Sequence, residues 1–512
     1  MKPSKYLRIS ILYIFLAFGC EEKDTKPIIG HDEKIEKGSY SPEWESLGKH
    51  NESPDWFKNA KLGIYFHWGL YSVPAYGNEW YPKWMHFKDN EFYKYHVETY
   101  GELSEFGYHD FAPLFKAEKF EPEVWAQLFK DSGAQFAGPV AEHHDGYAMW
   151  DSDITPWNTM DTGPKRDITG DLEKAIKDKG MKFITAFHHA KNLQRATKLG
   201  EEVYISQYPY FENMPPSSDD PDLQLMYGNM EHEKWYKEVW FGKLKEVVDR
   251  YHPDVIWFDY VLGDIPEAYR KKFVAYYLND AKKQEKEVVI VRKEHDLPLN
   301  MSVEDLEQSR KKDVGTKIWM TDATISDGSW CYTKDLGVKT PEDVLHMLVD
   351  IVSKNGVLLL NVSPKANGII PKNQQDALLK MGDWLKRYGE AIYGTEAWYT
   401  FGEGPTKQPT GHITNHKAFM KLKYTNQDIR YTTKDYNIYA IILGQVETNK
   451  SLVLNAFAKD NIRNMTSIES VSFLGSDETI DWSLSEKKGL LINTPSIALD
   501  EMATVIKITI SQ

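Results

Sequence analysis

One aspartate closes a short, wholly apolar run: Val255-Ile256-Trp257-Phe258 leads straight into Asp259. A carboxylate in that position is held by a rigid element, as a group that attacks carbon or moves a proton must be. Other polar residues follow similar runs: His67 after Gly63-Ile64-Tyr65-Phe66, His143 after 134–140, His188 after 182–186, Arg292 after 288–291 and Ser363 after 356–362. Each has an ordinary reading when taken alone, His67 as a satisfied core histidine and Asp259 as a helix cap. A shared position at the ends of successive strands is what favours a functional reading. A second carboxyl has five candidates in the polar stretch 293–309, namely Glu294, Asp296, Glu304, Asp305 and Glu307, most of which would decorate a solvated helix. The pair His143-His144 could suggest zinc, but no His-Glu-x-x-His spacing or cysteine ligand accompanies it and Asp145-Gly146 turns the chain at once. His188-His189 could also line the rim.

Between about residues 56 and 395, apolar runs alternate with longer amphipathic segments, the pattern of strand-helix units around a parallel sheet. Polar groups at the carboxyl ends of the strands suit a (β/α)8-like barrel. No glycine-rich phosphate fingerprint supports a doubly wound sheet instead. Helices are predicted over 121–132, 170–179, 234–251 and 341–354, the last with Thr340 as cap and Pro341 in its first turn. Past residue 400 the texture becomes alternating, as in Asp428-Ile429-Arg430-Tyr431-Thr432, 438–443 and 451–454, which predicts an antiparallel β-sandwich. We place the barrel at 51–398 and the sandwich at 399–512.

The 512 residues carry a net charge of -14, without the clustered Lys and Arg that nucleic acid or an anionic membrane surface requires. Lys2, Lys5 and Arg8 precede the apolar stretch 9–19, which is too short to span a bilayer and ends at Cys20. This resembles a bacterial lipoprotein signal. The expectation is a signal peptide over 1–19, lipidation at Cys20, a flexible tether over 20–50, and an exported protein that is outer-membrane-anchored or periplasmic, meeting membrane only through its lipid. Cys331 is the one other cysteine, so a lipidated Cys20 precludes an intrachain disulfide.

Five segments together resemble the α-L-fucosidases of glycoside hydrolase family 29. They are 61–81 (containing Phe66-His67-Trp68-Gly69 and Asn78-Glu79-Trp80-Tyr81), Glu142-His143-His144-Asp145-Gly146-Tyr147-Ala148-Met149-Trp150, Pro164-Lys165-Arg166-Asp167, 254–259 and 354–364. The resemblance implies an exo-acting retaining enzyme that removes terminal α-L-fucosyl residues from oligo- or polysaccharides by double displacement, without metal or organic cofactor. It aligns Asp259 with the nucleophile, although Tyr260 stands where the family usually has glycine. For the acid/base it implies a carboxylate on a variable loop; Asp305-Leu306-Glu307 resembles the segment of one branch, which points to Glu307, with Glu304 as the alternative. By the same resemblance His67, Glu79, Trp80, His143, His144 and Arg292 bind the sugar, while Trp257 and Trp330 are candidates for contact with its C5 methyl. The competing readings are a surface lipoprotein that binds carbohydrate without catalysis, and a glycosidase for a fucose-like sugar or a sulfated fucan.

Overall fold

The computed structural model describes residues 39–195, 206–409, 418–419, 421–459 and 467–511. The signal segment 1–19, Cys20 and the tether up to residue 38 lie outside the described residues. Eight parallel strands close a barrel in chain order: β1 Leu62–Phe66, β2 Phe136–Glu142, β3 Lys182–Phe187, β4 Val255–Phe258, β5 Val289–Arg292, β6 Val303–Asp305, β7 Trp319–Thr324 and β8 Gly356–Val362, with β8 paired back to β1. Six of them match predicted strands. The sequence reading missed β6 and β7, because an inward acid interrupts each apolar run, Asp305 in one and Asp322 in the other. The segment carrying Glu304 and Glu307 is therefore strand and turn, not the helix considered for it.

Successive side chains on a strand alternate between two environments. Tyr65, Phe136, Val140, Ile184, Ala186, Val255, Trp257, Val289, Val291, Val303, Met320, Val357 and Leu359 fill the barrel interior as one cluster. Ile64, Phe66, Phe183, Phe187, Ile256, Phe258, Ile290, Leu358 and Leu360 belong to a second cluster, between the strands and the surrounding helices. The outer layer includes Pro122–Asp131, Ile168–Asp178, Glu267–Lys283, Pro341–Val352 and Lys372–Tyr388. Thr340 caps its helix as predicted, its hydroxyl accepting from the Asp343 amide at 3.1 Å. The helix predicted over 234–251 runs through a π-helical stretch, Trp235–Trp240, before Phe241–Tyr251.

The last part of the expected tether is folded. Helix Trp44–Leu47 packs on Glu267–Lys283, and the amide of Tyr40 donates to Asn279 Oδ1 at 3.0 Å while Asn279 Nδ2 donates back at 2.8 Å.

The C-terminal region is a sandwich of two antiparallel sheets. Strands β9 Glu396–Glu403, β10 Ile429–Lys434, β11 Asn437–Ile442, β12 Ser451–Leu454, β13 Ile468–Phe473, β14 Trp482–Ser485, β15 Gly489–Asn493 and β16 Thr504–Ile510 form a five-stranded sheet, ordered β13-β16-β11-β10-β9, and a three-stranded one, ordered β12-β15-β14. Tyr431, Ala440, Ile442, Leu454, Phe457, Phe473, Leu490, Ile506 and Ile508 form the layer between them. The other face of the larger sheet joins the barrel's core through Tyr439, Ile441 and Val505. There Trp384 Nε1 donates to the Ala503 carbonyl at 2.9 Å.

Candidate active site

The alternation that fills the barrel also selects which residues reach its upper end. Continuing the inward set past the last apolar residue gives His67 on β1, His188 on β3, Asp259 on β4, Lys293 on β5, Asp305 on β6, Asp322 on β7 and Asn361 on β8. On β2 simple alternation would point Glu142 inward. A register irregularity between Val140 and Glu142 changes that. Glu142 instead meets Lys243 of the outer helix at 2.8 Å, and His143 turns into the barrel. Gly146, at φ 81°, then lets the chain turn where a Cβ would meet the Met226 carbonyl oxygen at 2.2 Å.

Of these, His67, His143, His188, Asp259, Lys293 and Asp322 line a cavity together with Glu79, Trp80, His144, Tyr260, Glu307 and Trp330. At its base Asp259 Oδ2 accepts from His188 Nδ1 at 3.1 Å, and Oδ1 meets Lys293 Nζ at 2.7 Å. Burial alone would raise the Asp259 carboxyl. Lys293 and then His188 override it and hold the group well below the usual carboxylate range. Lys293 is buried too, yet its ammonium is held well above the ordinary lysine value by Asp259, Asp322, Glu307 and Asp305 around it. The same Nζ lies 2.8 Å from Glu307 Oε2. With legs of 2.7 and 2.8 Å, the two carboxylate oxygens can be at most about 5.5 Å apart. Behind them Tyr65 donates to Asp322 Oδ2 at 2.9 Å, and burial, with Asp322 beside it, raises the Asp305 carboxyl well above its ordinary value.

The histidines present lone pairs to the cavity. His67 is fixed by Asn361 Oδ1, which accepts from its Nδ1 at 2.8 Å and from its amide at 3.0 Å. Burial keeps His67 and His143 well below the ordinary histidine value. His144 Nδ1 donates to the His188 carbonyl at 2.6 Å, and burial lowers this ring to about 4 although Asp259 pulls the other way. Its Nε2 therefore faces Asp259 Oδ2 at 3.2 Å as one acceptor facing another, an arrangement that a ligand hydroxyl with a proton to share would relieve. Glu79 is clamped by the Trp330 amide at 3.0 Å and Ser329 Oγ at 3.1 Å, and burial raises its carboxyl. Trp80 lies 5.0 Å from His144, ring to ring, and Trp330 lies 5.3 Å from His67. Tyr260 forms part of the wall, its hydroxyl held by Lys191, whose ammonium burial lowers to about 8.

Three sequence expectations are corrected by this geometry. Arg292 faces outward, one residue short of the inward position; its guanidinium binds the Glu294 carbonyl and lies 3.5 Å from His295 Nδ1. Glu304 also points outward and pairs with Lys311 at 3.2 Å. Trp257 is inward but fully buried below the cavity, with Lys293 Nζ 4.9 Å from its ring centre. Sequence reasoning overlooked Lys293 and Asp322 and left His188 undecided, although counting alternate residues from Val291, Met320 and Ala186 reaches all three.

Among the described residues, two sets offer donor atoms close enough together for a metal, His67 with His143 and His188, and His144 with His188 and Asp259. The second has the Lys293 ammonium 2.7 Å from its carboxylate, which opposes a second cation. In the first, burial keeps His67 and His143 well below the ordinary histidine value, and their lone pairs equally suit donating hydroxyls.

The α-L-fucosidase family model matches residues 28–390, and the model of the α-L-fucosidase C-terminal domain matches 423–510. The tissue α-L-fucosidase of Rattus norvegicus is 29% identical over 477 residues, which cover 90% of this chain and 89% of that protein. Among solved structures, the Thermotoga maritima α-fucosidase in complex with fucose is 30% identical with a TM-score of 0.70, covering 91% of this chain and 99% of that one. The same enzyme in complex with a mechanism-based inhibitor superposes with a TM-score of 0.71 at 30% identity, over 92% and 100% of the two chains.

Proposed function

The chain belongs to the α-L-fucosidase family, and from that premise we propose that it is an exo-acting glycoside hydrolase that releases terminal α-L-fucosyl residues with retention of configuration. The observation that carries the stereochemistry is the separation of two carboxylates. Retaining enzymes place theirs about 5–5.5 Å apart, inverting enzymes about 6.5–9.5 Å. Asp259 Oδ1 and Glu307 Oε2, both on Lys293 Nζ and so at most about 5.5 Å apart, support the first.

In the first step a carboxylate oxygen of Asp259 attacks the anomeric carbon and the bond to the leaving oxygen breaks, while the acid form of Glu307 gives that oxygen its proton. Asp259 is suited to attack because Lys293 and His188 keep it ionised inside a buried site. In the second step the Glu307 carboxylate takes a proton from water, which displaces Asp259 from the same face that the leaving group occupied. Proton NMR of the earliest product should show α-fucose; initial β-fucose would refute double displacement.

The basic, then apolar stretch before Cys20 supports export with lipid attachment at that cysteine, while Cys331 is a free, buried thiol. Detergent should be needed to extract the full chain, and Cys20→Ser should change its processing and release it or trap it with its signal. Wild-type protein wholly soluble outside the cell would contradict the anchor.

A further inference from the structure

Glu307 sits on a tight turn, closed by the Ser309 amide donating to the Leu306 carbonyl at 3.0 Å, with Gln308 at φ 48°. One side of the turn is tied to β7, through Leu306 N to the Met320 carbonyl at 2.9 Å and Gln308 N to the Asp322 carbonyl at 2.8 Å. The other side is anchored by Arg310, and its partners lead into the C-terminal domain. Arg310 Nη1 donates to Tyr424 Oη at 2.6 Å and lies 3.6 Å from Asp350 Oδ2. Asp350, fully buried on the helix Pro341–Val352, also takes Arg430 Nε of β10 at 2.5 Å and Lys354 Nζ at 2.8 Å. The Tyr424 ring has the Arg310 and Arg430 guanidinium carbons 5.8 and 4.9 Å from its centre. An open groove lined in part by Gln308, Ser309 and Arg310 lies beside the turn.

We propose that the C-terminal domain is a positioning unit for the reaction: Arg430 and Tyr424, acting through Asp350 and Arg310, hold the Glu307 turn over Asp259. The proposal rests on the reading of Glu307 as acid/base. It gives the sandwich a part in catalysis although none of its described residues lines the cavity around Asp259. A misplaced acid costs most where the leaving group needs a proton. Small displacements of a catalytic group have large effects on rate, while an activated aryl leaving group departs with little help.

The test is a double-mutant cycle of Arg310→Met and Glu307→Ala, with kcat measured on a fucosyl-oligosaccharide and on an activated aryl fucoside. Arg310→Met should lose about tenfold or more on the oligosaccharide and about threefold or less on the aryl substrate. In the Glu307→Ala background it should change neither further. Arg310→Lys should restore part of the oligosaccharide rate, and Arg430→Met should repeat the pattern from within the sandwich. Equal losses on both substrates, or losses that add to those of Glu307→Ala, would show a merely structural anchor and overturn the proposal. Glu307→Ala alone judges the acid/base reading: if it treats the two substrates alike, that reading fails, whatever Arg310 does. Tyr424→Phe, which removes only the oxygen that Arg310 binds, serves the same comparison if Arg310→Met does not fold.

Discussion

Replacing Lys293 by methionine removes the cation that bridges Asp259 and Glu307 and keeps most of the side chain's volume. At 2.7 Å and an effective dielectric of about 20, the gross Lys293–Asp259 attraction is about 6 kcal/mol. Breaking a buried pair by deleting one partner typically costs about 3–5 kcal/mol, because the remaining charge stays desolvated. In the native protein the depressed Asp259 carboxyl stays ionised through the mildly acidic range. In Lys293→Met burial, the largest influence on this group, acts with less opposition and raises it, so the nucleophile takes up a proton as the pH falls. The assay is kcat/KM on an activated aryl fucoside, a substrate that needs no general acid, from pH 4.5 to 8. Wild-type enzyme should be nearly flat between pH 7 and 5, whereas Lys293→Met should lose about tenfold or more, a tenfold loss corresponding to one pH unit of titration. Lys293→Arg, which keeps the charge, should return the profile toward wild type. A folded Lys293→Met enzyme with the wild-type profile would refute the claim that Lys293 keeps Asp259 ionised.

Glu307→Ala should abolish most oligosaccharide hydrolysis but retain fucosylation by the aryl substrate, and azide, which needs no deprotonation, should speed turnover; Glu304→Ala should do neither. His144 is held at about 4 in the fold against about 6.5 in the unfolded chain, so only the unfolded chain takes a proton between those values. Its contribution is thus a loss of stability of up to about 3 kcal/mol as pH falls from 6.5 to 4, and His144→Gln should flatten the decline in melting temperature over that window relative to wild type. An unchanged slope would mean that this ring is already charged in the fold.

The barrel was legible where strands are continuously apolar, because burial on both faces leaves a run such as Val255–Phe258 with no polar residue until its end. It was hidden where the interior itself carries acids: Asp305 and Asp322 look like loop residues, yet burial raises one well above its ordinary value and the other accepts from Tyr65. The site followed similar logic. Asp259 could be read from the strand that carries it, but Arg292 and Lys293 are adjacent cations, and only the parity of β5 separates them. Parity fails at His143, where the irregularity on β2 reverses the side that alternation predicts. The route from Glu307 through Arg310 to Arg430 joins residues 123 positions apart and leaves no local signal in the sequence.

The central claim is that Asp259 becomes covalently fucosylated, and trapping that species tests it most directly. Fluorine at C2 slows both steps through oxocarbenium-like transition states, while a fluoride leaving group keeps the first step fast enough for the intermediate to accumulate. Incubation with 2-deoxy-2-fluoro-α-L-fucosyl fluoride, followed by proteolysis and mass spectrometry, should find the sugar on the peptide containing Asp259, with fragmentation assigning it to that side chain and no label on Asp259→Asn. Label on Glu307 or on any other carboxylate would contradict the account.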